Sequence, residues 1–156
     1  NTFGPRQSTR AIIPTIITQI LKNTGKIRLG NLSPTRDFTY VDDTVDGFIK
    51  TLKSNKIEGQ IINIGNNFEI SIKNITKIMQ DDFGYNFKVI SDPKRIRKKN
   101  SEVFRLLASN KKAKKLLNWK PRYAGAKGFK LGLKKTIEWF EVKKNLKDYI
   151  SNSYSI

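Results

Sequence analysis

Between residues 8 and 23, apolar side chains recur at helical spacing (Ala11, Ile12, Ile16, Ile20 and Leu21), which predicts an amphipathic helix. Pro14 lies early enough to sit in its first turn, and Gly25 ends it. Residues 27–29 read as a short strand closed by Gly30. A second strand is predicted over 37–41, with Phe38 and Tyr40 on one face and Thr39 and Val41 on the other. Asp42 or Asp43 is placed to cap the next helix, in which Val45, Phe48, Ile49 and Leu52 keep helical spacing.

Residues 60–64 are apolar on both faces and bounded by Gly59 and Gly65, the pattern of a strand buried inside a mostly parallel sheet. Ser71 opens another helix with Ile72, Ile75, Ile78 and Met79 in its stripe, and a short strand over 87–90 stops at Asp92-Pro93. Residues 94–105 have no clear period and read as a basic loop. Ser109 is placed to cap a short helix through Leu117. A last helix is expected over 129–147, with Leu133, Ile137, Phe140 and Leu146 inward. Residues 1–150 thus read as one α/β domain, and the Ser/Asn-rich residues 151–156 as a frayed tail.

Composition narrows the chemistry. The 156 residues hold 31 Lys and Arg against 13 Asp and Glu, a net charge of +18, and contain neither Cys nor His. Disulfides, zinc sites, thiol nucleophiles and His-based triads are therefore excluded within these residues. No apolar run approaches the roughly 20 residues that span a bilayer, and no signal-peptide pattern opens the sequence, so the expectation is a cytoplasmic protein with no membrane partner. The first residue is Asn rather than Met, which reads as a processed product or a piece of something longer.

Basic clusters at 94–99 and 111–115 raise the question of a nucleic-acid partner. The excess charge is carried mainly by Lys spread along the chain, and aromatic residues do not interleave with the clusters as a stacking platform requires. The expectation is a solvated lysine surface and no nucleic-acid partner.

The sequence has no G-x-G-x-x-G, no P-loop and no G-x-S-x-G elbow. Asp42-Asp43 reads first as a helix cap and Asp81-Asp82 as an exposed helix end, so no catalytic machinery is named by the residues themselves. What stands out are polar, Gly/Pro-punctuated segments at element ends: 1–6, 30–37, 63–69 and 95–102. Loops on a rigid scaffold are where binding groups usually lie. Arg36, directly before a strand, and Arg97, in a loop, are suited to offer planar guanidinium donors to a diphosphate.

Taken in order, these segments resemble the extended short-chain dehydrogenase/reductase family that acts on nucleotide sugars. Asn1-Thr2-Phe3-Gly4-Pro5-Arg6 is similar to its Asn-x-Tyr/Phe-Gly-Pro segment, followed at the expected distance by Ala11-Ile12-Ile13-Pro14. Gly30 and Arg36-Asp37-Phe38-Thr39-Tyr40-Val41-Asp42-Asp43 resemble its Gly-x₅-Arg-Asp-[aromatic]-x-Tyr-Val-x-Asp segment. Asn63-Ile64-Gly65, Glu69-Ile70-Ser71-Ile72, Leu117-Asn118-Trp119-Lys120-Pro121 and Gly132-Leu133-Lys134 also fit. Arg97-Lys98-Lys99-Asn100-Ser101-Glu102-Val103 is most like the 4,6-dehydratase branch, including the GDP-mannose and GDP-N-acetylglucosamine types. Two residues depart from the pattern. Lys98 stands where Pro is usual, and Asn118 where Gly is usual, although Asn tolerates the left-handed conformation.

The resemblance implies an α/β chain that is the carboxyl-terminal part of an extended Rossmann-type fold: the substrate-binding subdomain with the last sheet strand, lacking the N-terminal dinucleotide-binding βαβ units. The catalytic Tyr-x-x-x-Lys pair of such enzymes precedes the Asn1 segment, so catalytic, cofactor-binding and metal residues are all expected to be absent. The resemblance assigns Asn1 to the sugar or phosphate, Arg36 and Arg97 to the diphosphate, and Glu102 to the ribose hydroxyls. It places the backbone of Ala11 and Ile12, with strand 27–29, beside the base, and Leu29 against the base's face. The implied partners are a nucleotide diphosphate-sugar and the missing N-terminal half, which would hold most of the NAD or NADP, in a parent enzyme that forms homo-oligomers. The implied reaction is oxidation at sugar C4, loss of water across C5–C6 and return of hydride to C6. A 4-epimerase of the same family, a non-enzymatic basic nucleic-acid-binding module and a degenerate remnant are the alternatives. The resemblance further implies that strand 60–64 and the helix holding Phe48 pack on the absent half.

Overall fold

Helix α1 (Ile12–Leu21) begins where Ala11, extended at φ −88° and ψ 149°, turns the chain inward. This is seen in a computed structural model that describes residues 1–55, 57–96 and 99–151. Pro14 falls in the first turn, where its missing N–H costs nothing. Ile13, Ile16 and Ile17 are buried, while Ile12, Ile20 and Leu21 pack against the core from its rim. After Gly25, at φ 65°, strand β2 (Lys26–Leu29) buries Ile27 and Leu29 and turns Lys26 and Arg28 outward. It pairs in parallel with β6 (Lys88–Ser91), Ile27 opposite Val89.

The single strand expected over 37–41 is two. β3 (Thr35–Asp37) and β4 (Thr39–Tyr40) lie in different sheets. β4 pairs in parallel with β1 (Thr2–Phe3). β3 pairs antiparallel with β5 (Glu69–Ser71) and parallel with β7 (Arg105–Leu106), which starts on the last residue of the segment expected to be loop. Val41 is not in a strand but opens helix α2 (Val41–Leu52). Neither Asp42 nor Asp43 caps that helix. Its N-cap is Tyr40, and the buried Asp43 carboxylate instead accepts hydrogen bonds from the backbone N–H groups of Arg122 (2.8 Å) and Tyr123 (2.9 Å).

Helix α3 (Ile72–Asp81) is capped by Ser71, whose hydroxyl accepts from the Asn74 N–H at 3.1 Å, and it buries Ile72, Ile75 and Met79. Helix α4 (Lys111–Leu117) begins at Asn110, not Ser109, and the Asn110 side chain donates to the Gly65 carbonyl at 2.9 Å. Asn118 ends α4 in the left-handed region at φ 47°, as its side chain allows. The long terminal helix breaks at the extended Val142 into α5 (Gly125–Glu141) and α6 (Lys143–Ser151). Residues 152–156 of the expected tail lie outside the described residues, and Ser151 still belongs to α6.

The core forms where α1, α5 and the short sheets meet. Phe3, Phe38 and Phe129 converge there with ring centroids 5.3–6.2 Å apart. Gly132 permits this: a Cβ there would lie 2.8 Å from Tyr40 Cδ2 and 3.0 Å from Phe3 Cζ, closer than packed atoms tolerate. A second cluster joins Ala113, Leu117 and the buried Trp119 to Ile57, Ile62 and Ile64.

Residues 60–64, expected as a buried strand, carry no strand pairing, and Ile61 is 84% exposed. A strand needs a partner's N–H and C=O groups, and none of the described strands lies alongside. The helical stripe of α2 is also out in water: Phe48 is 65% exposed and Leu52 85%, with Val45 and Ile49 exposed beside them. No helix among the described residues is long and apolar enough to cross a membrane.

Candidate functional site

Asn1, Ala11, Ile12, Leu29, Arg36 and Glu102, six of the seven residues singled out by the sequence, line one cleft of about 510 Å³. That volume is of the size small-molecule sites usually have. Arg97, the seventh, lies outside the described residues. The cleft opens between the N-terminal segment, the start of α1, the end of β2 and β3.

Each wall has a local cause. Asn1 Nδ2 donates to the Asp37 carbonyl at 3.4 Å, and Gln7 Nε2 to the Thr2 carbonyl at 2.6 Å, folding the first residues over the site. Ala11 offers no side-chain cap and the first turn of α1 holds no acidic residue, so the positive end of the helix dipole faces the cleft at Ala11 and Ile12. Leu29 is only 1% exposed and supplies apolar floor. Gly30 lets the turn Pro93–Arg95 close in, since a Cβ there would stand 2.3 Å from the Arg95 carbonyl oxygen.

The Arg36 guanidinium donates through Nη1 to the Thr35 carbonyl at 2.8 Å, while Nη2 lies 3.5 Å from Glu102 Oε1. Both side chains are mostly buried, 14% and 10% exposed. The two residues assigned to phosphate and to ribose therefore pair with each other. Two donors are engaged, and a guanidinium has five, which leaves N–H groups for an incoming oxyanion.

Next to Arg36, the buried Asp37 carboxylate fastens two loops, one at Asn66–Asn67 and one at Ala108. Its Oδ1 accepts from the Asn66 N–H at 2.9 Å, and its Oδ2 from Asn67 N–H at 2.9 Å and Ala108 N–H at 3.3 Å. The flank is closed by Glu69, which takes hydrogen bonds from Arg105 Nε (2.7 Å) and the Thr35 hydroxyl (2.6 Å). Arg105, then Thr35, holds the Glu69 carboxyl below its ordinary pKa. Burial, then Asp42 and Tyr123, pushes the Tyr40 phenol up to about 12, so it stays protonated at neutral pH.

Sequence reasoning missed several groups. Arg10, Gln7 and Arg95 line the same cleft, and Asp37 and Asp43 organise its support. The signal for Arg10 was its place between the Gly4-Pro5 turn and α1; for Asp37, an acid inside an otherwise apolar alternation. No cluster of three metal-ligating side chains occurs among the described residues.

The cleft lies at the edge of short parallel strands in a partial α/β fold, and arginines and a helix N-terminus line it, groups whose chemistry suits anions. Residues 1–131 match the family model for GDP-mannose 4,6 dehydratase, and the chain belongs to that family of nucleotide-sugar dehydratases and epimerases. It is 31% identical over 147 residues to human dTDP-D-glucose 4,6-dehydratase, covering 90% of this chain and 39% of that protein. It is also 31% identical over 147 residues to UDP-glucose 4-epimerase of Mycolicibacterium smegmatis, covering 92% and 44%. Among solved structures it is similar to UDP-glucuronic acid 4-epimerase from Bacillus cereus in complex with UDP-glucuronic acid and NAD, with a TM-score of 0.78, 26% identity and 90% and 43% coverage. It is likewise similar to epimerase Mth375 of Methanothermobacter thermautotrophicus, with a TM-score of 0.79, 28% identity and 96% and 43% coverage. The chain thus spans about two fifths of the length of the relatives it matches.

Proposed function

We propose that residues 1–150 are the nucleotide-sugar-binding half of an NAD(P)-dependent nucleotide-sugar 4,6-dehydratase, a cytoplasmic lyase whose dinucleotide-binding half lies outside this sequence. The observation that carries the reading is the convergence on one cleft of six residues picked from separate segments. Cleft chemistry adds support: apolar Leu29 and the backbone at Ala11–Ile12 suit a base, and Arg36 suits a diphosphate. The Arg97-to-Val103 segment, most like the 4,6-dehydratase branch, is what favours a dehydratase over a 4-epimerase in this reading.

The Gly-rich cradle for the dinucleotide diphosphate of NAD(P) is not among the residues of this sequence. The β4-to-α2 junction passes through Tyr40 and Val41 without a glycine, and no Gly-rich strand-to-helix turn is present to cradle a dinucleotide diphosphate. In this reading the chain supplies no hydride chemistry. It binds the diphosphate, orients the sugar and, through the apolar face of α2, docks on the other half, where the cofactor belongs.

The test is calorimetric titration of the chain with GDP-, UDP- and dTDP-glucose. Saturable one-to-one binding of at least one is expected, and Arg36→Lys, which keeps the charge but loses the planar fork, weakens it about tenfold. A folded chain that binds none of the three overturns the reading.

A further inference from the structure

Three arginines line the cleft among the described residues, and they differ in how they are engaged. Arg36 is paired with Glu102, and Arg95 with Asp92 at 3.2 Å. Arg10 has no carboxylate partner among the described residues. Its backbone is nevertheless pinned. The Arg10 N–H donates to the Ser8 hydroxyl at 3.3 Å, the Ala11 N–H to the Ser8 carbonyl at 3.0 Å, and the Thr15 hydroxyl to the Thr9 carbonyl at 2.7 Å. The backbone that carries this cation is thus held at the cleft wall, and no carboxylate among the described residues neutralises its charge.

We propose that Arg10 is a specificity-determining residue of the ligand site, pairing directly with the diphosphate of the bound nucleotide. This rests on the nucleotide-sugar reading above. Along the described lining, Glu102 offsets Arg36 and Asp92 offsets Arg95, which leaves the charge of Arg10 in excess. A nucleoside diphosphate ester carries two negative charges of its own. With Arg36 and Arg95 each tied to a carboxylate, Arg10 is the guanidinium that can meet the diphosphate without first breaking an ion pair. The adjoining N-terminus of α1 adds its dipole in the same sense. Arg10 thus selects for the diphosphate, whatever base and sugar flank it.

The experiment compares wild type, Arg10→Gln and Arg10→Lys in the full 156-residue chain. Phe48→Gln and Leu52→Gln are added to all three to keep the exposed α2 face from self-associating. The probes are the best-bound of GDP, UDP and dTDP, its glucose ester, and the matching nucleoside. Arg10→Gln is expected to weaken both diphosphates about tenfold at low salt and to leave the nucleoside unchanged. The difference shrinks in 0.5 M NaCl, and Arg10→Lys recovers part of the loss. Because Arg10 is exposed, the melting temperature does not move. Wild-type binding of the diphosphate with no loss in Arg10→Gln overturns this proposal and leaves the functional reading standing. Equal losses for diphosphate and nucleoside show a structural role and overturn it too. No binding of any diphosphate by the folded wild type overturns both.

Discussion

Replacing Asp37 by Asn keeps the side chain's shape and removes one acceptor from a place that needs two. The carboxylate is 3% exposed and receives three backbone N–H bonds, one on Oδ1 and two on Oδ2, with the Thr39 hydroxyl a longer 3.4 Å neighbour of Oδ1. The better amide orientation puts oxygen at the Oδ2 position and turns the NH₂ against the Asn66 N–H. One buried donor then loses its acceptor and two others exchange a charged acceptor for a neutral one, a cost of about 2–5 kcal/mol in total. Against a typical domain stability of roughly 5–15 kcal/mol, that is a large fraction. Asn66 is itself buried and ties Phe38, Tyr123 and Gly125 together, so its loop loosens as well. Urea denaturation followed by circular dichroism at neutral pH measures the loss, with Thr39→Val as a control expected to cost less than about 1 kcal/mol. An Asp37→Asn chain within about 0.5 kcal/mol of wild type, a shift typical of neutral surface changes, refutes the reasoning.

Three further outcomes follow from the same geometry. Gly30→Ala sets a Cβ against the Arg95 carbonyl oxygen and pushes the Pro93–Arg95 turn away, so nucleotide affinity falls about tenfold or more while the fold survives, as titration and a thermal melt together show. Glu69 has a depressed folded pKa, so its contribution to stability is fully present above the unfolded value of about 4.3 and fades as pH falls through the lower folded value. Glu69→Gln should therefore flatten the acid limb of the stability profile, and an unchanged limb contradicts the assignment. Phe48→Gln with Leu52→Gln should lower self-association in analytical ultracentrifugation without lowering the melting temperature, because both side chains already stand in water.

The legible parts of this fold are those fixed by local pattern. Helix α3, with Ser71 before Ile72, Ile75 and Met79, and the end of α4 at Asn118, follow from a cap, a stripe and a tolerated left-handed residue. The lining of the cleft was legible through ordered motifs, which picked Asn1, Ala11, Ile12, Leu29, Arg36 and Glu102 from five separate stretches. What pattern does not encode is partnership at a distance. The alternation across 37–41 gives no sign that Phe38 separates two sheets, because the strands that pair with β3 and β4 lie far away along the chain. Residues 60–64 have strand composition, but no described strand lies beside them. Asp43 looks like a helix cap from sequence because its acceptors' targets, the N–H groups of Arg122 and Tyr123, lie about 80 residues on. The break at Val142 interrupts an unbroken helical period and leaves no local mark.

Backbone amide shifts of the isotope-labelled chain measure directly where a nucleotide diphosphate-sugar sits. Titrating the tightest-binding of GDP-, UDP- and dTDP-glucose should shift the amides of residues 10–12, 29–31, 35–37 and 95 first and furthest, since these line or border the cleft. The lysines of α4, on a different element, should stay still. Shifts centred on residues 111–115 and tracking ionic strength would mean that the basic surface, not the cleft, takes the ligand, and would contradict the account.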